Sequence, residues 1–159
     1  MNQQSNTDII EKVIKTINES FANSYLQHTL EILKKYNIKT YDKNLIPDDP
    51  YFYYLNGHCN SYSDILCSIF GENAIKYNSE SHVVTKIGVH FYDVTGIVDC
   101  LVDEKFHKTD TISDLHYIDI AFYQNDEMEK PIEIDLINIG IKKLEELKSK
   151  EIKQKQKTI

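Results

Sequence analysis

Apolar residues recur every three or four positions in three stretches of the chain, a spacing that predicts three helices. The first stretch covers residues 7–36 and fits either one long helix or two helices with a kink near Asn23. The second covers residues 59–70. The third runs from about residue 131 to 156, and its first residue, Pro131, is of the type favoured in the first turn of a helix. We expect the apolar face of each helix to pack against the rest of the fold.

The strongest strand pattern is a β-hairpin over residues 81–96. Gly88 and Val89 are its predicted two-residue turn, because glycine at the first central position suits a type II′ turn. With this turn, the numbers of opposing residues sum to 177, as those of the two turn residues do. His82 and Asp93 then lie on one face of the hairpin as diagonal neighbours, about 7–8 Å apart at the backbone, so that their side chains can form a hydrogen bond.

The remaining patterns complete an α+β fold. A short strand is predicted at residues 74–77 and a further strand at about residues 115–123, whereas the pattern of residues 97–114 is ambiguous. Residues 37–57 are predicted to be a loop, because two prolines interrupt regular structure there. We therefore expect a small antiparallel sheet with helices packed on it. At 159 residues the chain is expected to form a single domain.

Charge and composition matter mainly for the functions and locations they disfavour. A net charge of −7 disfavours binding to nucleic acid. The lysine-rich tail from Lys142 to Lys157 is interrupted by glutamates, as expected of a solvated helix face. No stretch approaches the roughly 20 apolar residues of a membrane span, and the polar N-terminus does not have the pattern of a signal peptide. With an odd number of cysteines, we expect reduced thiols and a cytoplasmic location.

Cys59 is the candidate nucleophile. It begins the helix predicted at residues 59–70, where the partial positive charge of the helix N-terminus favours a thiolate over a thiol. An imidazolium from His82 would favour the thiolate further, and Asp93 would orient the ring, so that His82 acts as general base and then as general acid. The backbone N–H of Cys59 and, as a second candidate donor, the side chain of Asn56 would form an oxyanion hole.

An aromatic run from Tyr51 to Leu55 precedes this cysteine. Such a run either packs into the core or lines a substrate groove beside Cys59. In the second case Tyr53, Tyr54 and His58 are the candidate substrate-binding residues.

A metal site is the competing interpretation of the same region. The residues of ligand type are His58, Cys59, His82, His90 and Asp93. We do not predict a metal site, because paired spacings such as C-x-x-C or H-x-x-x-H are missing from the sequence.

Two segments resemble those of known cysteine enzymes. Asn56-Gly57-His58-Cys59, with a cysteine at a helix start behind a glycine, resembles the nucleophile segment of papain-like and transglutaminase-like enzymes. The segment from His82 to Gly96 resembles the histidine strand and the aspartate strand of the same enzymes. Its last part, Tyr92-Asp93-Val94-Thr95-Gly96, is similar to the stretch that holds the aspartate in arylamine N-acetyltransferases. The resemblance implies a papain-like or transglutaminase-like core with a Cys59–His82–Asp93 triad.

The resemblance implies two alternative functions. The first is a thiol-dependent hydrolase or acyl-transfer enzyme of the peptidase, amidase or deamidase class. It would need no cofactor and would act on a peptide, a protein or a small amide or acyl substrate through an acyl-cysteine intermediate. The second is a catalytically inactive protein of the same fold that binds or inhibits a partner through the aromatic run at residues 51–55. The sequence identifies neither the substrate nor the oligomeric state.

Overall fold

The computed structural model describes residues 3–79, 81–99, 107–108 and 126–157. Four α-helices, five β-strands and two short 3₁₀ turns lie in these ranges, which confirms the α+β class. The helices are α1 (Gln3–Lys35), α2 (Pro50–Leu55), α3 (Cys59–Phe70) and α4 (Asp126–Lys157). The strands are β1 (Ala74–Asn78), β2 (Val83–Ile87), β3 (His90–Asp93), β4 (Gly96–Val98) and β5 (His107–Lys108), and the 3₁₀ turns are Lys43–Leu45 and Gly71–Asn73.

The first predicted helical stretch forms one helix, without a break near Asn23. Its N-terminal half carries an apolar stripe with the expected helical spacing and packs on α4. These side chains form one core with α3 and one face of the sheet. Burial of a continuous apolar stripe contributes more to the stability of such a helix than its intrinsic propensity does. The buried members of the stripe are Ile10, Val13, Ile14, Ile17 and Phe21.

Two predictions differ from the structure: the start of the last helix and the loop at residues 37–57. Helix α4 begins at Asp126, so Pro131 lies inside the helix rather than at its first position. Proline costs the helix one backbone hydrogen bond, and the buried side chains of Ile132 and Leu136 that follow hold the helix in the core despite this loss. The loop predicted at residues 37–57 contains α2, because the side chain of Asp49 accepts a hydrogen bond from the N–H of Tyr51 and caps this helix.

The sheet is antiparallel throughout, with the strand order β4-β3-β2-β1-β5. The predicted hairpin register is confirmed, since Ile87 pairs with His90 and Thr85 pairs with Tyr92. Gly88 has a φ of 66°, a backbone conformation that glycine adopts readily in such a turn. The predicted strand at residues 74–77 is confirmed as β1.

The second strand of the predicted hairpin is shorter than expected. It ends at Asp93, and a tight turn leads into β4, in which Gly96 pairs with Asp93. The carboxylate of Asp93 accepts hydrogen bonds from both the N–H and the hydroxyl of Thr95, and these contacts stabilise the turn. Of residues 97–114, the structure describes 97–99, which include the end of β4, and 107–108, which form β5; the strand predicted at 115–123 lies outside the described residues.

No helix within the described ranges is both long enough and apolar enough to cross a membrane.

Candidate active site

Cys59 is the first residue of α3, at the end of the helix that faces the sheet hairpin. The chain approaches through Gly57, whose φ of 101° lies in a region that favours glycine. The first backbone hydrogen bond of the helix runs from the N–H of Tyr62 to the carbonyl of His58, so the amides of residues 59–61 precede the helical ladder. The Cys59 side chain is only 6% exposed and lies at this positively polarised end of the helix.

His82 and Asp93 form the pair that the hairpin register predicts. Nε2 of His82 lies 3.0 Å from Oδ2 of Asp93. The other carboxylate oxygen of Asp93 accepts the two hydrogen bonds from Thr95, at 2.8 Å from its backbone nitrogen. The Asp93 side chain is therefore held on both sides, which fixes the oxygen that faces the imidazole.

The backbone of His82 is held by Ser79, a contact that the sequence did not reveal. The Ser79 N–H donates to the carbonyl of His82 at 2.8 Å, and the Ser79 hydroxyl oxygen accepts from the N–H of His82 at 3.1 Å. These bonds close the connection between β1 and β2 directly before the second strand begins. They hold His82 at the start of the central strand β2, where its imidazole meets Cys59 at the start of α3.

The thiol of Cys59 hydrogen-bonds to the imidazole of His82. The hydrogen bond with Asp93 and, next in size, that with Cys59 raise the pKa of His82 to about 9, against the opposing effect of burial. Burial alone would raise the pKa of Asp93, but the hydrogen bonds from His82 and Thr95 outweigh it and lower that pKa. The three side chains thus form a connected chain of hydrogen bonds that favours an imidazolium–carboxylate pair.

His58 lies beside the nucleophile but is engaged with the protein. Its Nδ1 lies 2.9 Å from Oε1 of Glu129, at the start of α4. Its ring stacks on that of Tyr53, with the ring centroids 4.0 Å apart and the planes 7° from parallel. The hydroxyl of Ser61 donates to the same Glu129 oxygen. Through these contacts Glu129 connects the start of α3 to α4. The sequence analysis missed this role, because no local pattern links His58 and Glu129, which lie 71 positions apart.

The other candidate substrate-binding residues differ in accessibility. Tyr54 is 2% exposed and belongs to the hydrophobic core, so its ring is covered by protein. Tyr53 is partly buried and packs between Phe21, Tyr25 and His58. Their predicted contact with a substrate stays a prediction.

Asn56, the candidate oxyanion donor, is exposed at the end of α2. Its Nδ2 donates to the carbonyl of Phe52 at 2.7 Å, the contact expected of a residue that closes a short helix. One of its two N–H groups is thereby used, and its place in an oxyanion hole stays a prediction. The neighbouring residue that does lie buried at the nucleophile is Asn60, whose Oδ1 accepts a hydrogen bond from Lys76 at 2.6 Å.

A groove of about 510 Å³ adjoins the Asp93 side of the triad. Thr95 connects the two, since it both lines the groove and hydrogen-bonds Asp93. Tyr51, which belongs to the aromatic run, also lines this groove. Among the residues that the structure describes, no three His, Cys, Asp or Glu side chains are arranged to hold a metal ion.

A family model described as Phage YunG-like protein matches residues 38–134, more than half of the chain. The chain belongs to the Phage YunG-like family. The range matched in this YunG-like protein contains the Cys59, His82 and Asp93 side chains as well as Glu129. No curated protein and no solved structure matches this chain.

Proposed function

We propose that this YunG-like protein is a thiol-dependent hydrolase or acyl-transfer enzyme with a papain-like or transglutaminase-like core. The observation that carries the proposal is the hydrogen-bonded chain Cys59–His82–Asp93 at the start of a helix. A cysteine paired with a charged histidine at a helix N-terminus has the features of an activated nucleophile. The substrate class is a peptide, a protein or a small amide or acyl compound.

The reaction begins with the thiolate of Cys59 and the imidazolium of His82. The sulfur attacks the carbonyl carbon of the substrate, a C–S bond forms, and the negative charge on the carbonyl oxygen faces the N–H of Cys59. The intermediate collapses as the C–N or C–O bond to the leaving group breaks and His82 donates its proton to that group. An acyl-cysteine and a neutral imidazole remain.

The second half returns the enzyme to its starting state. The neutral imidazole of His82 takes a proton from water or another acceptor, which attacks the acyl carbon. The C–S bond then breaks, the thiolate and the imidazolium re-form, and the acyl product leaves. Asp93 stabilises the imidazolium and orients its ring throughout, and Thr95 holds the carboxylate in place.

The test is the pH dependence of Cys59 alkylation by iodoacetamide. An unactivated thiol, with a pKa of about 8.5, reacts slowly near neutral pH, whereas a thiolate–imidazolium pair reacts rapidly well below that pH. We expect His82→Gln to slow the labelling of Cys59 about 10-fold or more at pH 6.5. Equal labelling rates in both proteins would contradict the proposal.

Two controls sharpen this measurement. Cys67, whose pKa is raised by burial, is an internal reference, and a protease that cleaves before Asp64 separates it from Cys59 for mass spectrometry. His28→Gln disrupts another histidine–aspartate pair, in which Nε2 of His28 lies 2.6 Å from Oδ2 of Asp135, and should leave Cys59 labelling unchanged. The ultraviolet absorbance of the thiolate, lost in Cys59→Ser, provides a readout that does not require reagent access to a buried sulfur.

A second candidate function is a binding protein with an inactive triad. It is favoured by three exposed side chains of the aromatic run, Tyr51, Phe52 and Leu55, of which Phe52 is 69% exposed. Such a protein would have an ordinary Cys59 thiol and a partner whose binding is weakened by Phe52→Ser. Labelling of Cys59 that is unchanged by His82→Gln, together with such a partner, would favour this function over the enzyme.

A further inference from the structure

Lys76 on strand β1 contacts the first two turns of α3, the helix that begins at Cys59. Its ammonium group donates a hydrogen bond to Oδ1 of Asn60 at 2.6 Å and forms an ion pair with the carboxylate of Asp64. Asn60 is buried and the Lys76 side chain is only 12% exposed, so this hydrogen bond is sheltered from solvent. Because Asn60 directly follows Cys59 in the chain, the contact with Lys76 bears on the position of the nucleophile.

The neighbouring strand contacts the same face of α3. Thr85 on β2 is the cross-strand partner of Lys76, and its hydroxyl oxygen lies 2.7 Å from that of Ser63. Ser63 and Thr85 are both buried. Asn60, Ser63 and Asp64 share one face of the helix, because they are three and four positions apart. Two adjacent positions of the sheet thus hold one face of α3.

These polar contacts lie next to the contact between Cys59 and His82. Ser63 is one helical turn after Cys59, and Thr85 is three residues after His82 on the sheet. The Cys59–His82 and Ser63–Thr85 contacts therefore follow each other in the same order along the helix and the strand. A rotation of α3 that moved Cys59 away from His82 would also break buried polar contacts, and each buried polar group left without a partner costs free energy.

The charges of Lys76 and Asp64 oppose each other. This is seen at Cys67, where burial raises the pKa of the thiol, Lys76 lowers it and Asp64 raises it. Since the ion pair offsets much of the lysine charge, we expect Lys76 to act on Cys59 mainly through the place that it gives to Asn60. A residue that acts in this way positions the nucleophile without touching the substrate.

We propose that Lys76 is a positioning residue for the cysteine chemistry, because it fixes the rotation of α3 on the sheet at the point where Cys59 meets His82. The Ser63–Thr85 contact supports the same arrangement one turn further along the helix. The inference rests on the proposed function and adds to it the residue that aligns the nucleophile with its base.

The experiment measures the rate of Cys59 alkylation by iodoacetamide as a function of pH in the full-length protein. Lys76→Met keeps most of the apolar stem and removes the ammonium group. We expect its labelling of Cys59 at pH 6.5 to be about 3- to 10-fold slower, with the pH midpoint moved towards that of an ordinary thiol. Lys76→Arg, which keeps the charge and hydrogen-bond donors, should recover most of the rate.

Lys86→Met is the matched control. Lys86 lies on β2 next to Thr85, so its side chain points to the opposite face of the sheet, where its ammonium group lies 5.8 Å from the ring centroid of Phe91. This variant loses the same charge from the sheet without losing a contact to α3. Its labelling profile should equal that of the unchanged protein, and a shift as large as that of Lys76→Met would overturn the proposal.

Asn60→Ala separates position from charge, because it removes the amide that Lys76 contacts and leaves both charges of the ion pair in place. It also provides a test if Lys76→Met fails to fold, which circular dichroism shows. We expect the double variant Lys76→Met/Asn60→Ala to shift the pH midpoint no further than the larger single shift. Two shifts that add would show that the residues act independently and would overturn the proposal.

Failure of this inference and failure of the proposed function give different results. Labelling of Cys59 that His82→Gln does not slow would overturn both. Rapid labelling that depends on His82 but is unchanged in Lys76→Met and in Asn60→Ala would overturn this inference alone.

Discussion

Nδ1 of His58 and Oε1 of Glu129 lie 2.9 Å apart although 71 positions separate the two residues in the sequence. Since His58 directly precedes Cys59, this contact ties the start of the nucleophile helix to α4. Burial alone would raise the pKa of Glu129, but the hydrogen bonds from His58 and Ser61 outweigh it and lower that pKa. Glu129 therefore remains a carboxylate near neutral pH and accepts hydrogen bonds from His58 and Ser61 at the start of α3.

Glu129→Gln is expected to weaken the two hydrogen bonds that connect His58 and Ser61 to α4. The variant keeps the size of the side chain but loses the charge that strengthens both hydrogen bonds, so we expect the free energy of unfolding to fall by about 1–3 kcal/mol. If the proposed function holds, alkylation of Cys59 should also become several-fold slower at pH 7. The measurements are denaturant unfolding and iodoacetamide labelling, with Glu146→Gln as the control because that carboxylate is exposed on the same helix. An equal free energy of unfolding in the variant and the unchanged protein would show that the contacts of Glu129 with His58 and Ser61 do not stabilise the fold.

The His82–Asp93 pair should make stability depend on pH. The pKa of His82 rises from 6.5 to about 9 on folding, so its contribution is fully present below pH 6.5 and is lost as the pH rises through about 9. The pKa of Asp93 is lowered from 3.8, so its contribution is present above that pH and is lost as the pH falls through the lower folded value.

Comparison with His82→Gln tests this dependence. Between about pH 4 and 6.5 the unchanged protein should be more stable than the variant by about 1–3 kcal/mol, a range that allows for partial exposure of the imidazole. The difference should shrink at pH 10. Urea unfolding at a series of pH values measures it, and a difference that grows from pH 6.5 to 10 would have the wrong sign for this ion pair.

Glu133 is expected to limit stability at high pH. Burial is the main cause that raises the pKa of Glu133 to about 7, and repulsion by Asp64 and Glu129 adds to it, whereas the nearby Ser61 and Lys130 side chains oppose it. Because the folded state then binds a proton more tightly than the unfolded state, stability falls as the pH rises from 4.5 through 7.

Glu133→Gln should remove that fall. We expect the variant to be more stable than the unchanged protein by about 1–2 kcal/mol at pH 8 and equally stable at pH 4. Glu145→Gln, at an exposed position of the same helix, should show no such difference. Thermal or urea unfolding at the two pH values decides, and a variant that is less stable at pH 8 would show that the Glu133 carboxylate is stabilising instead.

Position 140 of α4 is expected to require glycine, because this part of the helix packs closely against Ile69 and Ile17. A Cβ atom at this position would lie 2.2 Å from Cδ1 of Ile69 and 3.2 Å from Cγ2 of Ile17. Although alanine favours a helix over glycine by about 1 kcal/mol, we expect Gly140→Ala to lower the free energy of unfolding by about 1–3 kcal/mol because of this overlap. Adding Ile69→Val, which removes Cδ1, should recover part of the loss in a double-mutant cycle. A Gly140→Ala protein with a raised melting temperature would contradict the close approach.

Local patterns were sufficient for several parts of the fold and of the candidate site. The register of β2 and β3 followed from a two-residue turn and the alternation of strand side chains, and it led directly to the His82–Asp93 contact. The start of α3 at Cys59 followed from helical spacing behind a glycine. The α2 helix was missed although Asp49 and Pro50 are a standard helix start, because its six residues are too few to carry a long apolar stripe.

The amino-acid sequence by itself thus determined the elements whose signals lie within one turn or one hairpin, and with them two of the three triad residues as a pair. Only the tertiary structure decided that Cys59 meets the imidazole of His82 and that Glu129 contacts the start of α3. Spacing rules act over a few residues, because they reflect the geometry of one helix or one pair of strands. Contacts between distant elements depend instead on how whole apolar surfaces pack against one another, which no short pattern encodes.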